Sequence, residues 1–141
     1  MLTETEKNVI FPWREAYSVG MPEIDEQHKG LIRLINNLQN AMMEGNGKSV
    51  VSGILDDLVR YTHSHFTFEE AVLRRSGYSQ LAAHCEEHKR LTAQVIELRD
   101  KFKAGKATIS MEVMQFLKDW LADHILSRDK AYAKELAGKV G

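Results

Sequence analysis

Five of the six histidines in this chain occur at spacings that let helices direct them toward one place, together with one glutamate and one aspartate. The seven residues are His28, His65, Glu69, His84, His88, His124 and Asp129. The pairs His65–Glu69 and His84–His88 are four residues apart, so the members of each pair share one side of a helix. Five imidazoles and two carboxylates are more ligands than one metal ion uses, and about the number that two ions sharing two carboxylates need. The pattern therefore predicts a dinuclear metal site.

Each part of this pattern also has an ordinary structural explanation. A His and a Glu at i, i+4 usually form a surface hydrogen bond, and a lone His28 on an apolar face is typically a hydrogen-bonded core residue. The full set is harder to explain in this way, because five buried imidazoles without partners would destabilise the fold. His63 is two residues from His65, about 200° around a helix, so we expect it to face solvent. The other candidates lie off the apolar stripes, and we expect a packing thiol at Cys85 and solvated carboxylates at Asp25, Glu26, Glu86 and Glu87.

The types of donor limit the choice of metal. A structural zinc site or an iron–sulfur cluster would need a set of thiolates, and the chain has one cysteine. A calcium or magnesium site would use oxygen ligands and not five imidazoles. Imidazole together with carboxylate suits iron, manganese or zinc. Because the set is rich in histidine and carries little negative charge, it favours modest redox chemistry over oxygenase chemistry.

Apolar residues recur every three or four positions and predict four helices that would place these ligands together. We predict bundle helices over 22–43, 49–75, 80–104 and 110–127, an extended N-terminal arm over 1–20 with Trp13 buried, and a C-terminal segment over 128–141 that could add a short helix. The short connections favour an all-α, antiparallel up-down-up-down four-helix bundle. The ligands lie near the start of the first and third helices and near the end of the second and fourth. In such a bundle all of them lie at the same end.

Size and composition are those of one ordinary domain spanning residues 1–141. The chain is 43% hydrophobic, its formal net charge is −1, and its Lys and Arg residues are scattered, so we expect no nucleic-acid partner. No apolar run approaches the ~18 residues of a membrane span. The N-terminus lacks the pattern of a signal peptide, and a single Cys85 suits a reducing compartment. We therefore expect a cytoplasmic protein.

The motifs together resemble those of the hemerythrin family, in its single-domain bacterial form. The resemblance covers nearly the whole chain and all seven ligand positions. It is carried by Pro12-Trp13 with Ser18-Val-Gly20, Ile24-Asp-Glu-Gln-His28, His65-Phe-x-x-Glu69-Glu70, His84-x-x-x-His88, and Trp120-Leu-x-x-His124-Ile-x-x-x-Asp129.

The resemblance implies a non-haem di-iron site that binds O2. One iron would take His84, His88 and His124, and the other would take His28 and His65. Glu69 and Asp129 would each bridge both irons, together with a solvent-derived oxo or hydroxo group. The second iron would then have an open position for O2, or for azide and similar small anions in the oxidised form.

The implied function is oxygen storage, transport or delivery to an oxygen-consuming enzyme, without catalysis by this chain. Two alternatives stay open at this point. One is an O2 or redox sensor or regulatory module, and the other is an enzyme that handles peroxide or nitric oxide. Phe66, Trp120 and Leu121 are the candidate residues of an O2 pocket, either as a gate against water or as ordinary core packing.

One spacing in the ligand set does not fit a regular helix. His124 and Asp129 are five residues apart, which places them about 140° apart around an ideal α-helix. If both are ligands, the backbone between them must depart from α geometry. A π-bulge is the natural candidate, because it brings residue i+5 under residue i. A kink or an early helix end near Ser127 would also serve.

Overall fold

The computed structural model describes residues 10–140, and the side chains up to residue 137. A short 3-10 turn at Glu15–Tyr17 precedes the helices, which are α1 (Pro22–Met43), α2 (Lys48–Arg75), α3 (Leu81–Lys103), α4 (Met111–His124), a π-helical segment (Ile125–Asp129) and α5 (Lys130–Val140). Residues 10–140 contain no strand. α1 packs against α2, α2 against α3, and α1 against α4. The fold is the predicted antiparallel four-helix bundle.

Short turns reverse the chain between the bundle helices. After α2, Gly77 adopts a φ of 68°, in the left-handed region that favours glycine. The N–H of Tyr78 then bonds back to the carbonyl of Leu73 at 3.0 Å. This closes the end of α2 and directs the buried Tyr78 ring edge-on toward His84.

Two apolar clusters make up the core, and they lie on either side of the predicted ligands. Leu31, Phe66, Leu91 and Ile125 belong to the larger cluster, in the body of the bundle. The smaller cluster consists of Val19, Ile24, Leu73, Tyr78, Tyr132 and Leu136. On each helix the predicted ligands fall between a residue of one cluster and a residue of the other. The ligands therefore form a polar layer inside an otherwise apolar core.

The N-terminal arm differs from the prediction in which aromatic residue it buries. Phe11 is fully buried, and its backbone N–H and C=O bond to the side chain of Asn36 at 3.0 and 2.9 Å. Trp13 is only half-buried; it packs on Tyr17 and lies under the ammonium group of Lys29. The prediction that Trp13 would be buried was wrong, and the arm is interrupted by the 3-10 turn. Residues 1–9 of the predicted arm lie outside the described residues.

The C-terminal segment continues the last bundle helix. We predicted that the last bundle helix would end at residue 127. Instead, the chain passes through the π-helical segment directly into α5. Tyr132 and Leu136 on α5 are buried in the smaller cluster. Within residues 10–140, no helix is both long enough and apolar enough to cross a membrane.

Candidate metal centre

All seven predicted ligands meet in the polar layer. None is more than 3% exposed, although every one of them is polar or ionisable: His28, His65, Glu69, His84, His88, His124 and Asp129. They form two overlapping groups whose ligand atoms lie within 4.8 Å of one another. One group is Glu69, His84, His88, His124 and Asp129, and the other is His28, His65 and Glu69.

The carboxylate of Glu69 is divided between the two groups. Its Oε1 lies 2.7 Å from His84 Nε2 and 3.0 Å from His88 Nε2. Its Oε2 lies 3.4 Å from His65 Nε2 and 3.7 Å from His28 Nε2. Each oxygen of this one side chain therefore faces a different pair of imidazoles.

The two carboxylate oxygens of Asp129 also face different groups of imidazoles. Its Oδ1 lies 3.2 Å from His84 Nε2 and 3.1 Å from His124 Nε2, whereas its Oδ2 lies 3.1 Å from His28 Nε2. Two carboxylates that each direct one oxygen to either group suit two metal ions bridged twice. A single ion would leave half of the donors unused.

Many of these buried atoms have no hydrogen-bond partner among the residues that the structure describes. They are the Nε2 atoms of His28, His65, His88 and His124 and both carboxylate oxygens of Asp129. A buried polar atom left unpaired costs about 1–3 kcal/mol, and a charged one costs more. Metal ions between the rings and the carboxylates would satisfy all six atoms at once. The donor set thus fits a pair of metal ions, and its imidazole and carboxylate donors suit iron, manganese or zinc.

The electrostatics of the metal-free chain also favour positive charge at this place. Burial opposes ionisation of Glu69, but the imidazoles around its two oxygens hold its pKa well below the usual range. Burial also opposes ionisation of the imidazoles, and for these groups it lowers the pKa. The nearby carboxylates Glu69 and Asp129 outweigh this effect and raise the pKa of His28 and His84 to about 9. The pocket therefore holds ionised carboxylates and attracts cations.

Comparison with known proteins gives a consistent result. Residues 19–136 match the family model described as the hemerythrin HHE cation binding domain. The chain belongs to the hemerythrin family. It is 36% identical to a bacteriohemerythrin of Stenotrophomonas maltophilia (strain R551-3), over 90% of this chain and 82% of that protein. It is 37% identical to a bacteriohemerythrin of Methylococcus capsulatus, over 87% of this chain and 94% of the relative.

More distant hemerythrins and a solved structure agree with this assignment. A myohemerythrin of Theromyzon tessulatum is 30% identical over 89% of this chain and 93% of its own length. A crystal structure of wild-type hemerythrin is 33% identical and superimposes with a TM-score of 0.83, covering 91% of this chain and 98% of that chain. The resemblance drawn from the motifs and the fold class are both confirmed.

The hemerythrin site has an outer layer of contacts that the sequence did not predict. Gln27 Oε1 lies 2.7 Å from Nδ1 of His65, and Glu70 Oε2 lies 2.7 Å from Nδ1 of His88. The Tyr132 hydroxyl donates to Glu69 Oε2 at 3.1 Å. Gln27 and Glu70 are chain neighbours of predicted ligands and belong to the motifs that carry the resemblance, but the sequence did not indicate that either contacts a histidine.

The residues predicted to lie off the site divide into two groups. His63, Glu26 and Glu86 are exposed, as expected. Asp25 is not a solvated carboxylate: its oxygens accept hydrogen bonds from Ser18 Oγ at 2.6 Å and from the Val19 N–H at 2.9 Å, so it fixes the arm to α1.

Glu87 is also less solvated than expected. Its side chain is 16% exposed, it pairs with Arg90, and its Oε1 lies 4.0 Å from Nδ1 of His124. Cys85 is half-buried, and burial together with the nearby Glu70 carboxylate raises the pKa of its thiol, so it lies beside the outer layer of the site.

The three candidate O2-pocket residues all lie in the larger cluster. Phe66 stacks on the ring of His88 with centroids 3.7 Å apart and planes 3° apart, and it also contacts the rings of His65 and His124. Trp120 donates its Nε1–H to the carbonyl of Leu91 at 3.2 Å, and Leu121 is 2% exposed. Apolar side chains therefore cover the imidazoles on the bundle side, and a gating role for them stays a prediction.

Proposed function

We propose that this chain binds O2 reversibly at a non-haem di-iron centre and so stores, transports or delivers oxygen. The observation that carries the proposal is the division of Glu69 and Asp129, whose two oxygens each face a different group of imidazoles. Membership of the hemerythrin family supports the choice of iron and of O2.

The proposed ligand sets are unequal. His84, His88 and His124 would hold one iron, His28 and His65 would hold the other, and Glu69, Asp129 and an oxo or hydroxo group would bridge the two. The first iron would take three imidazoles and the second would take two. When bound, the iron pair supplies the two electrons and the open position that O2 binding requires.

The side chains around the centre have three tasks in this proposal. Tyr132 holds Glu69 in its bridging orientation through the hydrogen bond to Oε2. Phe66 and the rest of the larger cluster keep bulk water from the imidazoles. The π-helical segment directs Asp129 back to the site beside His124.

Further parts of the proposal concern partners and location. Azide and similar small anions would occupy the O2 position in the oxidised form. An oxygen-consuming enzyme would receive the O2, and both proteins would be in the cytoplasm, where a single free cysteine stays reduced.

Reversible oxygenation tests the proposal. The chain is loaded anaerobically with ferrous iron, and absorption spectra are recorded through alternate cycles of O2 and argon. We expect a charge-transfer band that appears with O2 and disappears under argon in successive cycles. His65→Ala should abolish this response, whereas His63→Ala, two residues away and exposed, should retain it. A band that does not reverse, or a response unaffected by His65→Ala, would overturn the proposal.

A further inference from the structure

The two halves of the centre differ in what their histidine rings contact on the outside. In the half formed by His84, His88 and His124, Nδ1 of His88 is 2.7 Å from a carboxylate oxygen of Glu70. In the same half, Nδ1 of His124 is 4.0 Å from Glu87. In the other half, Nδ1 of His65 is 2.7 Å from the amide oxygen of Gln27.

No carboxylate of residues 10–137 bonds to the outer nitrogens of the second half. Within the described residues, Nδ1 of His28 has no hydrogen-bond partner. Among the residues that the structure describes, the outer acceptor on that half is therefore the neutral amide of Gln27. Glu87 is paired with Arg90 and lies 4.0 Å from the His124 ring, whereas Glu70 lies within hydrogen-bond distance of His88, so Glu70 is the main outer carboxylate of the first half.

The charge of the outer acceptor changes how strongly an imidazole binds a metal ion. A carboxylate attracts the Nδ1 proton and increases the basicity of Nε2, which is the metal-binding atom. Hydrogen bonds to a charged acceptor are also about twice as strong as those between neutral groups. An amide acceptor orients the ring and fixes its tautomer but adds much less basicity.

We propose that Glu70 and Gln27 make the two halves of the centre unequal metal sites. The half with His84, His88 and His124 binds its ion tightly, and the half with His28 and His65 binds its ion weakly and loses it first. Glu70 and Gln27 are positioning residues that act through His88 and His65. The inference rests on the proposed di-iron site and adds to it an order of metal loss and the residues that set this order.

The side chains at positions 27 and 70 can be exchanged between glutamine and glutamate to test this inference. Gln27 and Glu70 are both half-buried at the rim of the site, so a substitution there leaves the core packing intact. Gln and Glu have nearly the same shape, and either can accept a hydrogen bond from Nδ1. Gln27→Glu therefore adds an outer carboxylate to the weak half, and Glu70→Gln removes one from the tight half.

Release of iron to a chelator tests the proposal. Anaerobic diferrous protein is mixed with an excess of a coloured ferrous chelator, and the iron released is followed by absorbance. The wild-type chain should release its two irons in a fast and a slow phase of equal amplitude. Gln27→Glu should slow the fast phase by roughly 10–100-fold, and Glu70→Gln should accelerate the slow phase by a similar factor.

Matched controls separate this effect from general changes in charge. Gln94→Glu adds a carboxylate at a position of similar exposure, and Glu86→Gln removes an exposed carboxylate that pairs with Lys89. Both controls should leave the two phases unchanged. The metal-free forms of all four variants should unfold at the wild-type temperature, because the proposed effect requires bound metal.

Each outcome decides between the two proposals. Suppose that the wild-type chain releases two irons but neither exchange alters a phase, or each alters both phases equally. The inference that Glu70 and Gln27 set the order of metal loss is then refuted, and the di-iron site stands. If the wild-type chain holds fewer than two irons, the proposed function fails and this inference fails with it. Should Glu70→Gln not fold, Gln27→Glu decides alone, since the proposal requires it to slow the fast phase.

Discussion

Nε2 of His124 lies 3.1 Å from Oδ1 of Asp129, although the two residues are five positions apart in the chain. A regular α-helix would separate them by about 140°. The intervening residues Ile125–Asp129 are π-helical, and the N–H of Lys130 bonds to the carbonyl of Ile125, five residues back. The Ser127 hydroxyl donates to the carbonyl of Asp123 at 2.6 Å, in the last turn of α4 before this segment. The π-bulge predicted from the spacing is confirmed.

A single deletion tests whether this bulge serves only to keep the register. Because a π-bulge contains one extra residue, removing the exposed Leu126 should convert the segment to α-helix and place Asp129 four residues after His124. We expect this variant to keep two irons per chain and a helical circular-dichroism spectrum. Removing the exposed Gln115 from regular α4 should instead rotate all later residues by about 100° and abolish iron binding. Equal loss of iron in both deletions would contradict the register explanation.

The sequence predicted that these seven residues would meet in the core, because their spacing and their burial follow the same helical period. His28, His65 and Glu69 each lie in an apolar stripe, so the pattern that predicted the helix also predicted that these side chains face the core. The same stripes placed His63 outside, where it is found. The five-residue spacing of His124 and Asp129 does not match the helical period. This mismatch predicted the π-bulge, because both side chains can face the core only if the helix departs from α geometry.

The outer contacts could not be predicted because they depend on the rotation of neighbouring helices. Gln27 and Glu70 lie at the edges of their stripes, and which ring each one meets is decided by how α1 packs on α2 and how α2 packs on α3. Tyr132 reaches Glu69 only because α5 continues the last helix through the bulge. In the arm, Phe11 and not Trp13 is buried because the Asn36 side chain pairs with the backbone of Phe11.

Loss of a bridge should remove more metal than loss of one imidazole. Glu69→Ala and Asp129→Ala each remove a ligand from both irons, so we expect both irons to be lost. His28→Ala and His65→Ala remove a ligand from one iron, so a species with a single iron should persist. Metal analysis of purified protein, expressed with ample iron, distinguishes these cases. Two irons with normal O2 binding in Glu69→Ala would show that Glu69 is not a bridge.

Leu121 should protect the oxygenated protein from irreversible oxidation. Leu121 is 2% exposed and lies one turn before His124, whereas Leu55 is fully buried in the same cluster but ten residues from His65. Replacing either leucine by alanine should cost roughly 2–5 kcal/mol of stability. Only Leu121→Ala should also accelerate autoxidation, because it lets water approach the centre. The decay of the oxygenated absorption band measures this, and equal decay in both variants would favour simple packing.

Removing the metal should destabilise the fold. The metal-free chain keeps unpaired buried atoms such as His28 Nε2 and both oxygens of Asp129. An ion that binds only the native state at 100 times its dissociation constant adds about 2.7 kcal/mol to the free energy of unfolding. Thermal unfolding followed by circular dichroism should therefore show a lower midpoint after treatment with a chelator, and recovery when ferrous iron is restored. An unchanged midpoint would mean that the buried donors do not hold metal.

Crystallography of the iron-loaded chain with anomalous scattering at the iron edge tests the central claim most directly. The proposal predicts two iron peaks in the polar layer, one beside His84, His88 and His124 and the other beside His28 and His65. Glu69 and Asp129 should each place one oxygen on each iron. A single iron peak, or two peaks with either carboxylate bound to only one of them, would contradict the doubly bridged centre.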